Sequence, residues 1–378
     1  MKSNYDILEN HIRLVDVRNK DCVTDKVLGI SIDKYFMPSV ANVIGTDLSR
    51  YKLISKGRFA CNPMHLGRDE RLPIALYDKD EPAIVSPAYF MFEVIDNTVL
   101  DENYLMMWFR RPEFDRICWF HTDGSVRGGI TWEDICRLEF PVPSIEEQRE
   151  IVNSYKAITE RIALKQQIND NLEAQGVTLY HLLFDDQSTF EQGTISCFGN
   201  VVGGATPSKD VDDYFCSDGI VWLTPKDLTA TGHKFIYKGE LDITEAAYKS
   251  CSTKLMPKGS VLLTSRAPVG TVAIAMTELC TNQGFKSIVP FDTFGTEFVY
   301  YFLKENKQLL ESHSSGTTFM EISGNALKDI PVLIPPKDKI KAFNEMCKPI
   351  FLYQEKIEKE IGRLQELQQT MISRMSSR

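Results

Sequence analysis

Polar and basic side chains that could contact nucleic acid lie in the predicted loops of this chain. Arg and Lys can donate to guanine edges and phosphates, while Asn and Gln can pair with adenine. Each residue alone is more typical of a solvated loop or a turn, and the group gains weight only because it occurs twice along the chain. The candidates are Asn62, His65, Arg68, Arg71, Ser125 and Arg127 in the first half, and Thr224, Lys226, Ser265, Arg266, Thr271, Gln283, Lys286, Thr317 and Thr318 in the second.

Motifs that would indicate an enzyme do not occur in the sequence. Residues 203–210 (GGATPSKD) match GxxxxGK[ST] only superficially, and no GxGxxG, GxSxG or HExxH is found. Residues 62–65 (NPMH) faintly resemble the Asn-Pro-Pro-aromatic motif of amino-methyltransferases, but a turn after a strand is the simpler interpretation. Six isolated histidines and nine scattered cysteines without a CxxC pair favour neither a metal site nor a disulfide framework. We therefore predict no catalytic residue, no metal and no cofactor bound by this chain.

The length and the charge of the chain restrict its function. With 378 residues, 43% of them hydrophobic, it can form two domains of about 150 residues and connecting helices. Its net charge of −9 counts against binding of nucleic acid by the whole surface, so such a role requires local basic patches. No signal peptide and no apolar run of membrane-spanning length is visible, and we expect a cytoplasmic protein.

The chain repeats itself at an offset of about half its length. Pro335 lies 192 positions after Pro143, and each proline precedes a long stretch of helical character. At the same offset TDGSVRGGIT (residues 122–131) lies over SSGTTFMEIS (residues 314–323). SKGRFACNP in the first half also aligns with PKGSVLLTS in the second. A period this long is not that of a solenoid, so we interpret the chain as one unit written twice.

Four successive segments follow from this repeat. We predict a globular half at residues 1–143, a long helix at 144–184, a second globular half at 185–335 and a second long helix at 336–378. Short runs rich in Val, Ile, Phe and Tyr indicate strands in both halves. Residues 100–120 and 296–312 have helical character. Each half is therefore expected to be α+β.

An apolar ladder with steps of three and four residues predicts that the two helices form a coiled coil. Polar residues interrupt it at Arg161, Lys165, Gln175 and Glu360, and we assign Gln148 to a side that faces solvent or a partner. Ser144 and Glu147 predict a capping box. A helix of forty residues reaches roughly 60 Å. Because a helix of that length cannot bury its own apolar stripe, the two stripes most simply bury against each other. A generic helical hairpin or a dimerisation element is the alternative. The ladder consists of Ile158, Ile162, Ile168, Leu172, Leu179, Ile350, Tyr353, Ile357, Leu364, Leu367 and Met371.

These segments resemble the specificity subunit (HsdS) of type I restriction-modification systems along the whole chain. The border FPVPSIEEQREI (residues 140–151), the second border LIPPKDKIKAF (residues 333–343) and GGATPSKDVDDYF with DGIVWLTPKDL (residues 203–228) carry the resemblance. The stretch from LVDVRNKD to SKGRFACNP resembles a common type of first recognition domain. The second border departs from the first, because it has Lys339 and Ile340 where the first has Glu147 and Gln148.

The resemblance implies two similar mixed α/β target recognition domains separated by two long antiparallel coiled-coil helices, with a pseudo-two-fold internal repeat. Each domain would read one part of a bipartite target in double-stranded DNA, and the helices would set the gap. The implied partners are HsdM-type methyltransferase subunits, expected in two copies, and HsdR-type restriction subunits. S-adenosylmethionine is expected on the methyltransferase partner, and ATP and Mg on the nuclease partner.

Two other classes of function stay open at this point. One is a protein-interaction scaffold, in which two β-rich modules on a helical hairpin bind proteins or peptides and have no role on DNA. The other is a cryptic enzyme, against which the missing cofactor loop argues.

Overall fold

The computed structural model describes residues 5–40, 45–64, 66–121, 129–266, 268–316 and 320–375, without the side chains of Gly67, Arg68 and Thr231. The chain divides into two compact units. The first unit comprises residues 1–162 together with 363–378, and the second unit comprises residues 163–362. Each long helix therefore contributes one segment to each unit. The four predicted segments are contiguous stretches of the chain, whereas each compact unit includes parts of both long helices. The division into four domains stays a prediction.

The first unit is built from short strands and helices that precede the first long helix. Its strands form the sheets β2-β9-β6-β7, β4-β3-β8-β5 and β1-β10. The strands are β1 (Tyr5–Ile7), β2 (Ile12–Leu14), β3 (Val27–Ile30), β4 (Phe36–Pro38), β5 (Lys52–Ile54), β6 (Arg58–Cys61), β7 (Ile74–Leu76), β8 (Ala83–Val85), β9 (Phe90–Val94) and β10 (Glu139–Pro141). The helices are α1 (Leu66–Asp69), α2 (Glu102–Phe109), α3 (Pro112–Phe120), α4 (Trp132–Cys136) and the long α5 (Ile145–Phe184).

Aromatic side chains fill the core of the first unit, where α2 and α3 pack with the sheet that contains β6 and β9. The rings of Phe59 and Phe92 stack at 4.9 Å, and the ring of Phe109 meets that of Phe59 edge-on at 5.8 Å. Asp101 begins α2 because its carboxylate accepts hydrogen bonds from the backbone N–H groups of Asn103 and Tyr104, at 2.8 and 3.1 Å. The predicted helical character of residues 100–120 is confirmed as two short helices.

The second unit has the same kinds of element, followed by the second long helix. Its sheets are β12-β20-β17-β18-β15, β13-β16-β14-β19 and β11-β21. The strands are β11 (Glu191–Thr194), β12 (Gly199–Gly203), β13 (Phe215–Cys216), β14 (Ile220–Leu223), β15 (Phe235–Ile236), β16 (Asp242–Ile243), β17 (Val261–Leu263), β18 (Val272–Ala275), β19 (Cys280–Thr281), β20 (Lys286–Pro290) and β21 (Pro331–Ile334). The helices are α6 (Pro225–Thr231), α7 (Glu245–Ser250), α8 (Gly295–Glu305), α9 (Lys307–Ser312), α10 (Gly324–Asp329) and the long α11 (Lys337–Arg374).

The internal repeat is visible in matched backbone contacts of the two units. Gly57 N donates to Tyr77 O at 2.9 Å, and Gly259 N donates to Ala275 O at 2.8 Å. Both glycines have a positive φ, +83° and +89°, at the turn before β6 and before β17, a conformation that only glycine adopts without strain. The sequence alignment that paired these two turns is therefore confirmed in the backbone. The expected α+β class and the two long helices are confirmed as well.

A buried side-chain amide anchors the start of α5 to the first unit. Gln148 is fully buried. Its Oε1 accepts from Asp101 N at 2.9 Å, and its Nε2 donates to Val99 O at 2.9 Å and to Pro143 O at 2.8 Å. The prediction that Gln148 faces solvent or a partner is wrong, because this amide satisfies the backbone at the start of α2.

The side-chain amide of Asn344 anchors the start of α11 to the second unit in the same way. Its Oδ1 accepts from Phe298 N at 3.0 Å, and its Nδ2 donates to Phe294 O at 2.8 Å, the residue that precedes α8. In each unit, one amide thus ties a long helix to the N-terminal end of a core helix.

Replacing Gln148 with Met keeps the length of the side chain and removes its hydrogen bonds. Three partly buried backbone groups, Asp101 N, Val99 O and Pro143 O, then lose this partner, and we expect the free energy of unfolding to fall by about 2–4 kcal/mol. Urea denaturation followed by circular dichroism measures the change. The matched control is Gln175→Met, at an exposed position of the same helix. Equal midpoints for the two variants would contradict the assigned role of Gln148.

Candidate nucleic-acid interface

Three backbone segments of the second unit meet at Ser265. Ser265 N donates to Gly284 O at 2.8 Å, and Ser265 O accepts from Ile322 N at 3.0 Å. These bonds hold the loop after β17, the loop before β20 and the segment before α10 in fixed positions. We name residues 264–266, 283–286 and 320–322 the second-unit platform.

The side chain of Ser265 does not reach the surface of this platform. It is 0% exposed, and its Oγ has no hydrogen-bond partner among the described residues. The predicted contact of Ser265 with DNA is therefore wrong, because the segments that its own backbone joins enclose the side chain. The side chain of the neighbouring Arg266 reaches the surface instead.

Arg266 lies beside an acidic residue that sequence reasoning missed. Its Nη1 is 3.7 Å from Oε2 of Glu321, and the two side chains are 37% and 41% exposed. The backbone of Glu321 is held by two hydrogen bonds of 2.9 Å with Ser315, one in each direction. The alignment of residues 122–131 with 314–323 marks this segment in the sequence, but a criterion based on hydrogen-bond donors does not select a carboxylate.

Lys286 and Gln283 share the platform with Arg266. Lys286 Nζ donates to Gln283 O at 3.1 Å and to Phe285 O at 3.2 Å. Partial burial lowers the pKa of Lys286, while the carboxylate of Glu321 acts in the opposite direction. Gln283 Oε1 accepts a hydrogen bond from Thr206 Oγ1, so the glycine-rich loop after β12 also contributes to this surface. The structure thus brings three predicted residues together, namely Arg266, Gln283 and Lys286.

Three other predicted residues of the second unit have local partners. Thr224 Oγ1 donates to Asp227 Oδ2 at 2.7 Å, in the capping box of α6. Lys226 Nζ lies 2.8 Å from Glu240 Oε2, and this hydrogen bond raises the pKa of Lys226. Thr271 is partly buried, and its N–H donates to Thr264 Oγ1 at 2.9 Å. As DNA contacts, all three stay predictions.

The first unit has a matching backbone connection at Pro63. Pro63 O accepts from Ile130 N at 3.2 Å. Ile130 lies 192 positions before Ile322, whose N–H donates to Ser265 O in the second unit. The alignment of SKGRFACNP with PKGSVLLTS pairs Pro63 with Ser265, and therefore Met64 with Arg266. The two units thus hold the same frame at this point and carry different side chains on it.

Two predicted residues of the first unit have described side chains. Asn62 Oδ1 accepts from Met64 N at 3.2 Å, which makes it part of a turn. Arg71 Nη1 lies 2.9 Å from Asp33 Oδ1, and both side chains are largely exposed. The remaining candidates lie outside the described residues or side chains: His65, Arg68, Ser125, Arg127, Thr317 and Thr318.

The described ranges contain neither a membrane-spanning helix nor a metal-binding cluster. No helix in these ranges is long and apolar enough to cross a membrane. In the same ranges, no three His, Cys, Asp or Glu side chains come together in a way that could hold a metal ion.

Segments of the two long helices pack side by side and run antiparallel in each unit. In the second unit Lys165 Nζ lies 2.7 Å from Glu360 Oε2, and Gln354 Nε2 donates to Asn169 O at 3.3 Å. The residue numbers along α11 fall as those along α5 rise. Two of the predicted polar interruptions, Lys165 and Glu360, therefore neutralise each other across the helix pair. In the first unit Gln368 Nε2 donates to Thr159 Oγ1 at 2.7 Å.

The buried stripe of α11 lies one residue away from part of the predicted ladder. Tyr353 and Leu367 are 46% and 47% exposed, so their predicted place in the seam is wrong. Gln354 and Ile361 are buried instead. The apolar pattern missed this register because Gln354 is polar and is buried through its bonds to α5 and to Lys234. The other predicted positions are partly or fully buried: Ile158, Ile162, Ile168, Leu172, Leu179, Ile350, Ile357, Leu364 and Met371.

A buried ammonium group fastens the helix pair to the second unit. Lys234 Nζ lies 2.8 Å from Glu173 Oε2 on α5 and 2.9 Å from Gln354 Oε1 on α11. The same group lies 3.7 Å from the ring centre of Phe351. Burial lowers the pKa of Lys234 to about 8, with Glu173 opposing the shift. Burial alone would raise the pKa of Glu173, but the charges of Lys234 and Lys304 prevail and lower it to about 2.

Gly176 permits the close approach of α5 to α8 at this cluster. A Cβ atom at position 176 would lie 1.8 Å from the hydroxyl oxygen of Tyr301. That hydroxyl donates to Glu173 Oε2 at 3.3 Å, so the glycine gives room for one of the bonds around the carboxylate. Gly176 therefore has a packing role inside the long helix α5.

The whole arrangement corresponds to a known protein family. A family described as "Type I restriction modification DNA specificity domain" matches residues 74–174 and 187–369, which is most of the chain. The chain belongs to this family. The predicted resemblance is therefore confirmed, and the match includes most of α5 and most of α11.

Curated proteins named as specificity subunits match parts of the chain. The type I restriction enzyme MjaIX specificity subunit of Methanocaldococcus jannaschii is 44% identical over 147 residues, 38% of this chain and 34% of that protein. A putative MjaX specificity subunit from the same organism is 23% identical over 337 residues, 82% of this chain and 75% of that protein. The chain thus spans about a third of the length of the first relative.

A solved member shares the fold of this chain. The S subunit of a type I restriction-modification system from M. genitalium superposes with a TM-score of 0.58 at 15% identity, over 98% of this chain and 95% of that one.

Replacing Ser265 with Ala tests whether its side chain is only structural. The change removes a buried hydroxyl without a hydrogen-bond partner among the described residues. We expect the free energy of unfolding to stay the same or to rise by up to about 1 kcal/mol. Thermal denaturation measures this, and a loss of more than about 1 kcal/mol would show that the hydroxyl is satisfied.

The pKa of Glu173 predicts a pH dependence of stability. Because the folded-state pKa is about 2 and the ordinary value is 4.5, its stabilising effect is complete above about pH 4.5 and is lost as the pH falls toward 2. Glu173→Gln should lower the free energy of unfolding by up to about 3 kcal/mol at pH 7, and this gap should close below pH 4.5. Urea titrations from pH 7 to pH 2.5 measure the gap.

The control for this titration is Glu366→Gln, which changes an exposed carboxylate on α11. It should follow the wild type at every pH. A gap between wild type and Glu173→Gln that stays constant down to pH 2.5 would contradict the assigned charge state of this carboxylate.

Proposed function

We propose that this chain is the non-catalytic DNA sequence-specificity subunit of a type I restriction-modification complex. The observation that carries the proposal is the duplicated frame with different side chains on it. Pro63 and Ser265 accept the same backbone hydrogen bond, while Met64 and Arg266 follow them in the two units. One frame with two sets of side chains suits two readers of different sequences.

Each unit would read one part of a bipartite target in double-stranded DNA. In the second unit the reading surface would be the platform with Arg266, Gln283 and Lys286, which carry donors for guanine edges, for adenine and for phosphates. The family membership and the names of the curated relatives, which are specificity subunits, support this assignment.

The two long helices would set the gap between the two parts of the target. Helix α11 continues unbroken through its internal Pro349 and Gly362, and each long helix contributes a segment to both units. Helices of 40 and 38 residues are long enough for a separation of about one DNA turn, ~34 Å.

The same helices would bind HsdM-type methyltransferase subunits, in two copies, and HsdR-type restriction subunits would join for cleavage. Apolar side chains that do not fit the seam support a partner on α11. Met346, Leu352 and Tyr353 are exposed in the second unit, and Leu367 is exposed in the first. Such residues next to a polar surface are typical of a helix that binds another protein.

The chemistry would belong to the partners, acting in the cytoplasm. S-adenosylmethionine would bind to the methyltransferase, which would flip an adenine out of the duplex, and ATP and Mg would bind to the nuclease. The sequence supports this division, because it contains neither a phosphate-binding GxxxxGK[ST] motif nor a GxGxxG motif.

Gel-shift experiments with and without a methyltransferase subunit from the same genomic neighbourhood test the proposal. We expect weak DNA binding by the chain alone, and tight binding with a steep salt dependence by the complex. Methylation mapping in cells that carry both genes should give a split adenine motif. Binding of proteins or peptides with no affinity for DNA in the complex would instead favour the interaction scaffold.

Arg266→Ala tests the division of labour between the units. Loss of a base contact should cost about 1–3 kcal/mol of discrimination at one position, which is roughly a 5- to 150-fold change. The methylated motif should therefore relax in one half only. Lys249→Ala, an exposed cation on α7 of the same unit, is the control and should leave the motif unchanged. An equal loss in both halves would contradict the proposed division.

A further inference from the structure

The acidic residue of the second-unit platform has no assigned role in the proposed function, on which the following argument rests. Glu321 is exposed beside Arg266, at 3.7 Å, on a surface that would face a polyanion. A carboxylate in such a place repels phosphates and lowers the affinity for any DNA. Its position therefore needs a reason other than affinity.

The backbone holds Glu321 in its place. Two hydrogen bonds of 2.9 Å join it to Ser315, and the next residue, Ile322, donates to Ser265 O at 3.0 Å. Arg266 follows Ser265 directly, so the carboxylate and the guanidinium are presented by two segments that are bonded to each other. The backbone segments that carry the two side chains are thus fixed relative to each other.

The second cation of the platform, Lys286, has fixed partners as well. Lys286 Nζ donates to two backbone carbonyl groups, and Glu321 and Arg266 both affect its titration. A platform with two cations and one carboxylate has a small net charge. Non-specific binding depends on such net charge, whereas base readout depends on donors at fixed positions.

We infer that Glu321 is a positioning and specificity-determining residue, which restrains Arg266 for base readout and opposes its use in non-specific phosphate contacts. A repulsive element of this kind raises discrimination by weakening the wrong complexes more than the right one.

Glu321→Gln tests the inference in the complex with the methyltransferase subunit. The variant keeps the shape and removes the charge. We expect affinity for a random-sequence duplex to rise roughly two- to fivefold, the size of an exposed ion pair. The slope of log affinity against log salt should become steeper by about 0.9, as for one added phosphate contact. The preference for the mapped target over random duplex should fall.

A charge-matched control and a double variant make the test specific. Glu245→Gln removes a carboxylate that also lies 3.7 Å from its cation, Lys249, but on α7, and it should change neither slope nor preference. If Glu321 acts through Arg266, the effect of Glu321→Gln should disappear in the Arg266→Ala background.

The outcomes separate this inference from the proposed function. A wild-type complex that prefers its target, with a Glu321→Gln complex of identical preference and salt slope, would overturn the role of Glu321 alone. An effect that persists unchanged without Arg266 would also overturn it. A wild-type complex that prefers no sequence would overturn the proposed function, and the inference with it.

Discussion

The second unit depends on the buried contacts that the ammonium group of Lys234 makes with three helices. This group lies just before the edge strand β15 and reaches a carboxylate on α5, an amide on α11 and the hydroxyl of Tyr301 on α8. A charge that is taken out of water needs all of its partners, and the loss of one leaves the others buried without compensation. Three helices are therefore fixed against the sheet by one group. Glu358 adds to this, because it accepts from the backbone N–H groups of Lys234 and of the first residue of β15.

Polar residues inside the helix pair also select its register. An apolar stripe can shift by a heptad at a small cost in energy, since apolar side chains then meet apolar side chains again. Gln354 cannot slide, because its amide bonds both Lys234 and the backbone of Asn169. The ion pair between Lys165 and Glu360 adds a second fixed point. Buried polar contacts of this kind specify one alignment of two helices among several of similar stability.

Features that depend on local sequence could be predicted, whereas those that depend on distant partners could not. The prolines of the two borders and the apolar periodicity predicted helices that begin at Ile145 and Lys337 within two residues. The same pattern put Tyr353 in the seam, because Gln354 counts as polar until its partners on other elements are known. The predictions that Gln148 faces solvent or a partner and that Ser265 contacts DNA are wrong for the same reason, because residue type alone assigns both to the surface. The burial of a polar residue is decided by hydrogen bonds to residues far away in the sequence.

The pairing of the predicted DNA-contact cations bears on how an acidic chain could read DNA. Three of the predicted cations with described side chains each have a carboxylate close by, namely Arg71 with Asp33, Lys226 with Glu240 and Arg266 with Glu321. Under the proposed function, each would have to exchange this partner for a base or a phosphate. Such an exchange yields less free energy than the binding of an unpaired cation, so the chain alone would bind DNA weakly. The same exchange makes the gain depend on a well-placed acceptor, which is a property of a correct sequence and not of the phosphate backbone in general. Local pairing of cations thus trades affinity for selectivity, and the missing affinity would have to come from partner subunits.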